Sequence, residues 1–187
     1  VDNPFVHTSL GGDWSGFFNS TNYTGALSGI RTEYWAVGLR NPFRFTFSPI
    51  DSTLYLGDVG EQDEEELNII ERGKNYGWNW YDGTNSRPGY TPMNGIPLAF
   101  TNTPPLSYYT QVVTADKYAI ICGPVYTGSR LSQLYGALFF ADYGKGNIWA
   151  MKTSGTNILS LQELFIDDFE GSLANVSTFG VDPSNQD

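Results

Sequence analysis

Cysteine and histidine are almost absent from this sequence. Its 187 residues include one cysteine, Cys122, and one histidine, His7. A single cysteine cannot form an internal disulfide, and one of each residue cannot build a zinc centre of the His/Cys type. The sequence also contains no G-x-S-x-G segment and no glycine-rich phosphate loop. Hydrolases that depend on the first motif and nucleotide-binding enzymes that depend on the second are therefore excluded.

Positive charge and long apolar runs are also scarce. Ten Lys and Arg residues stand against 20 Asp and Glu residues, which gives a net charge of -10 and an isoelectric point near 4.4. This balance opposes attraction to phosphate backbones and anionic lipid, so we expect no nucleic-acid partner. No stretch approaches the roughly 20 apolar residues that a membrane-spanning helix needs, so we expect no membrane span.

Aromatic residues, glycine and proline are abundant. Aromatics make up 16% of the chain, with 21 glycines and 10 prolines, and short apolar runs alternate with turn residues. This pattern predicts many strands and few helices, and hence an all-β fold. The predicted strands cover residues 33–39, 43–47, 53–57, 67–70, 76–80, 118–122, 125–126, 137–141, 147–151, 158–165 and 176–181.

Repeated short antiparallel strands suggest either a sandwich or the blades of a propeller, and we favour the propeller. Blades use four strands and roughly 40–50 residues each, so this chain would supply about four. A partial ring leaves blade edges exposed. We therefore expect residues 1–187 to form a single domain that is a piece of a longer propeller. Trp35, Trp78 and Trp149 should be at least partly buried.

The segment Gly38–Arg44 brings a guanidinium and an amide together before a proline. Pro42 keeps Asn41 out of helical geometry, so Arg40 and Asn41 would point in fixed, different directions. Such a pair suits a planar anionic ligand. The alternative is a turn at a strand end, with Arg40 in a surface salt bridge.

An acidic run follows a glycine-rich turn at residues 57–60. Five carboxylates fall within residues 61–66. Calcium prefers six to eight oxygen ligands, which carboxylates and glycine carbonyls can supply. The spacing excludes an EF-hand. The alternative is a solvated acidic face, which is the commoner role of such runs.

A pair of carboxylates for glycoside hydrolysis is a further possibility. Asp142, Asp58 and Glu61 are the candidates, because that chemistry needs two carboxyl groups across one cleft. Nothing in their spacing selects a pair.

Six ordered blocks of sequence lie at residues 2–5, 38–42, 57–60 with 65–70, 74–78, 123–128, and 134–136 with 140–143 and 146–150. In order and spacing, over nearly the whole chain, these blocks resemble the soluble glucose/sorbosone dehydrogenase family. The resemblance implies a six-bladed β-propeller, periplasmic or extracellular, that binds pyrroloquinoline quinone (PQQ) and calcium. It also implies oxidation of the anomeric carbon of aldose sugars, with an external electron acceptor. The family includes non-enzymatic relatives, so a propeller that binds a carbohydrate or protein is the alternative.

The resemblance also implies roles for particular residues. Arg40 and Asn41 match the pair that lines the quinone pocket, where Arg40 would stabilise negative charge on the quinone oxygen. Gly60 and Glu61 match residues whose backbone carbonyls face the catalytic calcium.

A second, structural calcium site is implied at Glu66, through its carboxylate, and at Tyr76, through its carbonyl. Two departures from the family pattern bear on the quinone. Thr127 stands where the family usually has a lysine or arginine that pairs with the cofactor's carboxylates. The catalytic histidine would lie upstream of Val1.

Overall fold

Antiparallel strands form nearly all the regular structure. The computed structural model describes residues 17–18, 21–22, 34–87, 102–111, 118–164 and 175–187. Within them the only helical element is a 3-10 turn at Ser132–Leu134, and no helix there is long and apolar enough to cross a membrane. The strands are β1 (Phe17–Phe18), β2 (Thr21–Asn22), β3 (Pro42–Phe47), β4 (Leu54–Asp58), β5 (Glu64–Ile69), β6 (Tyr81–Asp82), β7 (Asn85–Ser86), β8 (Ser107–Thr110), β9 (Ile120–Val125), β10 (Leu138–Asp142), β11 (Ile148–Ser154) and β12 (Asn157–Leu164).

Two four-stranded antiparallel sheets account for most of these strands. The first has the order β3-β4-β5-β8, and the second has the order β9-β10-β11-β12. The short hairpins β1-β2 and β6-β7 form separate ladders. Sequential four-stranded meanders are the blades of a propeller. The all-β prediction is confirmed. The predicted number of blades also depends on residues outside the described ranges, so it stays a prediction.

The two sheets pack face to face. Tyr55 and Leu67 of the first sheet share one buried apolar cluster with Ile120, Leu138 and Met151 of the second. Strands β3, β4 and β5 all contact β9. Because apolar burial is the main stabilising term, this cluster fixes how the sheets are placed relative to each other.

The opposite face of the first sheet is covered as well. Leu56 and Ile70 pack there with Tyr76, and Leu39 lies against them. The segment that leads into β3 and the segment that follows β5 therefore meet on this face. A sheet covered on both sides can bury polar groups only if donors reach them.

The two sheets repeat one capping device. Asp58 ends β4 and Asp142 ends β10, each the second strand of its sheet. Asp58 accepts hydrogen bonds from the amides just before β3, and Asp142 accepts one from Ala119, just before β9. A carboxylate at the end of the second strand thus caps the start of the first strand in both sheets.

Several predicted strands are wrong. Residues 34–39 and 76–80 form no strand, only isolated bridges at Val37 and Asn75. At residues 76–80 the Trp80 and Tyr81 amides turn back to the Gly77 carbonyl, which makes a turn. Residues 176–181 are also without a strand, whereas β8 was not predicted.

Burial of the tryptophans agrees with expectation at two of three positions. Trp78 and Trp149 are half-buried, and Trp149 stacks on Phe140 at 5.2 Å between ring centres. Trp35 is 47% exposed, so that prediction is wrong. It lies outside the strands, in the segment before β3, and not between the sheets.

Candidate functional site

A buried carboxylate fixes the backbone of the Arg40–Asn41 pair. Asp58 accepts hydrogen bonds from the N–H of Arg40 at 2.9 Å and from the N–H of Asn41 at 2.7 Å. The Val59 N–H donates to the Asn41 carbonyl at 3.1 Å. These bonds hold the pair where β3 begins and β4 ends.

The Arg40 guanidinium lies against an indole ring. Its Nη1 donates to the Val59 carbonyl at 2.9 Å, and its central carbon is 5.3 Å from the centre of the Trp78 ring. Its Nε is buried without a hydrogen-bond partner. A buried unpaired donor costs about 1–3 kcal/mol, so an acceptor atom from a ligand would be stabilised here. The Arg40 guanidinium is therefore held in one orientation, but its Nε–H has no hydrogen-bond acceptor.

A second guanidinium shares the same indole. The central carbon of Arg87 is 4.6 Å from the Trp78 ring centre, and its Nη2 forms a close ion pair with Glu61. Side-chain exposure is 13% for Arg87 and 30% for Glu61. Two cations thus lie over a single aromatic ring, and one of them is paired with a carboxylate.

The loop after β4 folds around another buried carboxylate. Asp82 accepts hydrogen bonds from three consecutive amides, those of Glu61 and Gln62 at 3.1 Å and of Asp63 at 3.2 Å. Consecutive N–H groups form a concave anion-binding surface, and Asp82 occupies it. The position of the 60–63 loop is therefore set by a residue of the β6-β7 hairpin.

The second half of the acidic run, Glu64–Glu66, is buried in β5. Glu64 accepts a hydrogen bond from the Thr84 N–H at 2.7 Å, and Glu66 accepts one from the Gly83 N–H at 2.6 Å. Glu66 also accepts a bond from Asn68 Nδ2 at 3.0 Å. The interpretation as a solvated acidic face is therefore wrong for Glu64–Glu66, whereas Asp63 is exposed and Glu61 is partly exposed.

Negative charge accumulates on this face. Asp58 and Glu66 are cross-strand partners. Burial raises the pKa of Asp58 to about 6 and that of Glu66 to about 7, and repulsion from the nearby Asp82 adds to both shifts. Asn68 Oδ1 is buried there without a partner. Surplus oxygen atoms and surplus negative charge suit a hard cation.

Side-chain ligands alone do not form a metal centre in the parts of the chain that the structure describes. No three His, Cys, Asp or Glu residues there are arranged to hold a metal ion. A cation near Glu66 would therefore also need backbone carbonyl or amide oxygens, both of which calcium accepts.

A separate carboxylate pair lies between the two sheets. Glu65 accepts hydrogen bonds from Gln111 Nε2 at 2.5 Å and from the Ile120 N–H at 2.9 Å. Asp142 accepts one from Tyr109 Oη at 2.6 Å. Burial raises the pKa of Glu65 to about 7, and repulsion from Asp142 adds to the shift. Both carboxylates are fully buried, so neither faces an open cleft.

The structure brings most of the predicted site residues together. Arg40 and Asn41 join Gly60 and Glu61 through the Asp58–Val59 corner and the shared Trp78–Arg87 contacts. Glu66 is the cross-strand partner of Asp58. The Tyr76 ring packs on the same face of the sheet, and its Oη donates to the Ile69 carbonyl at 2.6 Å.

Thr127 does not join that group. It follows the C-terminal end of β9, and its neighbours Tyr126 and Gly128 both lie against Asp187. The start of β9, not its end, lies beside Gly57 and the beginning of β3. A strand of this length spans about 20 Å, which separates Thr127 from Arg40.

Sequence reasoning missed Arg87 and Asp82 as members of the site. The Asp82–Gly83 pair is a strong short-range signal for a hairpin turn, and it would have located β6 and β7. Nothing local identifies Arg87, because its contacts with Glu61 and Trp78 depend on how that hairpin folds back.

Replacing Gly60 with alanine should destabilise this loop. A methyl group there would overlap the Glu64 carbonyl oxygen and lie 3.2 Å from Asp82 Oδ1. We expect a loss of about 1–3 kcal/mol in the free energy of unfolding of the full-length protein, measured by urea denaturation. Gly180→Ala is the control, since no atom lies within 4 Å of the added carbon. Equal stability of both variants would contradict the loop geometry.

Comparison with known proteins agrees with this architecture. The model of the family described as Glucose / Sorbosone dehydrogenase matches residues 16–178. HIPL1 protein from Arabidopsis thaliana is 34% identical over 128 residues, which is 65% of this chain and 18% of that protein. The chain thus spans about a fifth of the length of this relative.

Two solved structures share the fold. The apo-form soluble aldose sugar dehydrogenase from Escherichia coli matches with a TM-score of 0.56 and 23% identity, over 87% of this chain and 39% of that one. The PQQ-bound aldose sugar dehydrogenase from Streptomyces coelicolor matches with a TM-score of 0.53 and 17% identity, over 77% and 35%.

The packed four-stranded sheets and these likenesses define part of a β-propeller with the fold of the sugar dehydrogenases. The chain belongs to the glucose/sorbosone dehydrogenase family.

Proposed function

We propose that the full-length protein containing this chain oxidises the anomeric carbon of aldose sugars, with PQQ and calcium as cofactors. Residues 1–187 would be a single domain, the C-terminal portion of the propeller. The observation that carries the proposal is Arg40, clamped by Asp58 while its buried Nε lacks an acceptor beside Trp78. Family membership and the likeness to a PQQ-bound dehydrogenase support it.

The chemistry of the residues around Arg40 fits a planar anionic quinone. The Arg40 Nε–H, which lacks an acceptor, can donate to an oxygen of a negatively charged planar ligand, and the neighbouring guanidinium of Arg87 adds positive charge. Arg40 and Asn41 would hold the quinone, and the carbonyls of Gly60 and Glu61 would face the catalytic calcium. Thr127 offers no charge to the cofactor's carboxylates. When bound, the quinone supplies the two-electron acceptor for sugar oxidation and calcium polarises its carbonyl.

Two residues of this chain, Asp58 and Arg40, have defined tasks in this proposal. Asp58 keeps the Arg40–Asn41 backbone in place through two charge-assisted hydrogen bonds. Arg40, the proposed catalytic residue, would donate a hydrogen bond to the ligand oxygen on which negative charge would develop. Donors that are fixed in advance need no reorganisation during the reaction, which is the main source of electrostatic catalysis.

A structural calcium ion would lie at Glu66. Its carboxylate, the Tyr76 carbonyl and the orphaned Asn68 Oδ1 are the proposed ligands. An ion there would offset the repulsion among Glu66, Asp58 and Asp82. This site would hold the β5 face together and would take no part in the redox step.

Replacing Glu66 with glutamine tests the structural site. The amide keeps the shape but removes the charged ligand, so calcium affinity should fall by at least about tenfold. The measurement is calorimetric titration of the full-length protein after chelator treatment. Glu71→Gln, at a side chain that is 57% exposed, is the control and should bind as the parent does. Unchanged affinity in the Glu66 variant would remove Glu66 from the ligand set.

The proposed reaction also sets the surroundings of the protein. Its substrate would be a small aldose, and an external electron acceptor would reoxidise the quinone. Enzymes of this kind act in the periplasm or outside the cell, and we propose the same compartment here.

A non-enzymatic propeller that binds a carbohydrate or a protein is the second candidate. Thr127 favours it, because a quinone site without the usual cation binds its cofactor less tightly. The two candidates differ in one test, which is reconstitution of the full-length protein with PQQ and calcium. Dye-coupled oxidation of an aldose supports the dehydrogenase. Folded protein that binds no PQQ and oxidises no aldose supports the second candidate.

A further inference from the structure

Among the residues that the structure describes, Arg87 is a cation that lies over the same aromatic ring as Arg40. Both guanidinium carbons lie near the centre of the Trp78 ring, at 4.6 Å for Arg87 and 5.3 Å for Arg40. The two residues are distant in sequence and arrive from different elements. Arg40 precedes β3, whereas Arg87 follows β7.

The position of Arg87 is fixed by buried hydrogen bonds. The hairpin that carries it is held by Asp82 against the 60–63 loop, and by Glu64 and Glu66 against β5. The Arg87 N–H also donates to the Trp80 carbonyl at 2.8 Å. Only 13% of the Arg87 side chain is exposed. Its positive charge is therefore held at a defined position over Trp78.

The Glu61 carboxylate pairs with the Arg87 guanidinium as a carboxylate group of a ligand would. Its Oε2 pairs with Nη2 of the guanidinium, and its side chain is 30% exposed. Arginine binds carboxylates through a planar fork, and a carboxylate on a ligand presents the same two oxygens. A ligand carboxylate can therefore take the place of Glu61 in this ion pair, because the Glu61 side chain is partly exposed and can rotate into solvent.

We propose that Arg87 is the second cation of the quinone pocket, where it binds a carboxylate of the cofactor after displacing Glu61. This inference rests on the proposed function, since it takes PQQ as the ligand. It assigns to Arg87 the charge that the family resemblance leads one to expect at position 127, where Thr127 lies at the far end of β9. Glu61 then competes with the ligand through its side chain while its backbone carbonyl stays available to calcium.

Direct binding of PQQ tests the assignment without relying on turnover. The full-length protein with calcium is titrated with PQQ, followed by tryptophan fluorescence and calorimetry. Arg87→Gln should weaken binding about ten- to a hundredfold, the effect of one lost charge-assisted contact. Glu61→Gln should tighten it by up to about fivefold, since the competing ion pair is partly exposed. Arg130→Gln, at a side chain 78% exposed, should bind as the parent does.

The trimethyl ester of PQQ separates charge recognition from a structural role. It has the same ring system without carboxylate charge, so Arg87→Gln should leave its affinity unchanged. Equal losses for PQQ and the ester would mean that Arg87 only supports the fold, which overturns the inference. Parent-like PQQ binding by Arg87→Gln overturns it while the proposed function stands. No PQQ binding by the parent or by Glu61→Gln overturns both.

Discussion

Full-length protein carrying Arg40→Ala should lose at least about a hundredfold in dye-coupled aldose oxidation after reconstitution with PQQ and calcium. The guanidinium is fixed by the Val59 carbonyl and lies on Trp78 with an unsatisfied N–H. Its removal takes away a preorganised donor where negative charge develops. The Asp58 contacts use backbone N–H groups, so they remain in the alanine variant and the fold should survive.

Two further variants sharpen that test. Arg40→Lys keeps the charge but not the planar fork, so its activity should lie between those of the parent and the alanine variant. Arg130→Ala removes an arginine that follows β9 and is 78% exposed, so it should leave activity unchanged. Parent-like turnover in Arg40→Ala would end the assignment of Arg40 as a catalytic residue.

Stability of the calcium-free full-length protein should fall as the pH rises from about 5 to about 8. The pKa of Glu65 is raised from 4.5 to about 7, mainly by burial, so the folded state holds a proton that the unfolded state releases near pH 4.5. Stability therefore decreases through this window, by about 3 kcal/mol for complete ionisation of Glu65. Urea denaturation at a series of pH values gives the slope.

Glu65→Gln should reduce this pH dependence, while Asp58 and Glu66, whose pKa values are also raised, keep their contributions. The groups facing Glu65 are Asp142 from β10 and Tyr109 from β8, and the Asp142 charge adds to the shift. Glutamine cannot ionise, so its contribution to the slope disappears even if overall stability changes. Glu71→Gln, at an exposed position, should keep the parent slope. An unchanged slope in Glu65→Gln would show that other groups cause the pH dependence.

Much of the fold could be predicted from local sequence. Strands β3, β4, β10, β11 and β12 fall within a few residues of the predicted ranges, because each is a short apolar run between turn residues. The Arg40–Asn41–Pro42 segment was recognisable for a similar reason, since proline restricts its neighbour whatever the remainder of the fold does.

Local sequence failed where distant donors decide the outcome. A run of carboxylates is ordinarily solvated, yet Glu64, Glu65 and Glu66 lie in a strand. Their acceptor oxygens are satisfied by Thr84, Ile120 and Gly83, which are 20, 55 and 17 residues further along the chain. No pattern within the run itself shows that these donors will arrive.

The sequence by itself determined an acidic, β-rich chain, the motifs of its family and the restriction that Pro42 places on the backbone of Asn41. Only the tertiary structure decided that Glu64–Glu66 are internal, that Arg87 meets Arg40 at Trp78, and that Thr127 lies elsewhere. The physical reason is burial. A charged side chain can leave water only where hydrogen-bond donors or opposite charges from other elements replace it, and the folded chain alone brings those elements together.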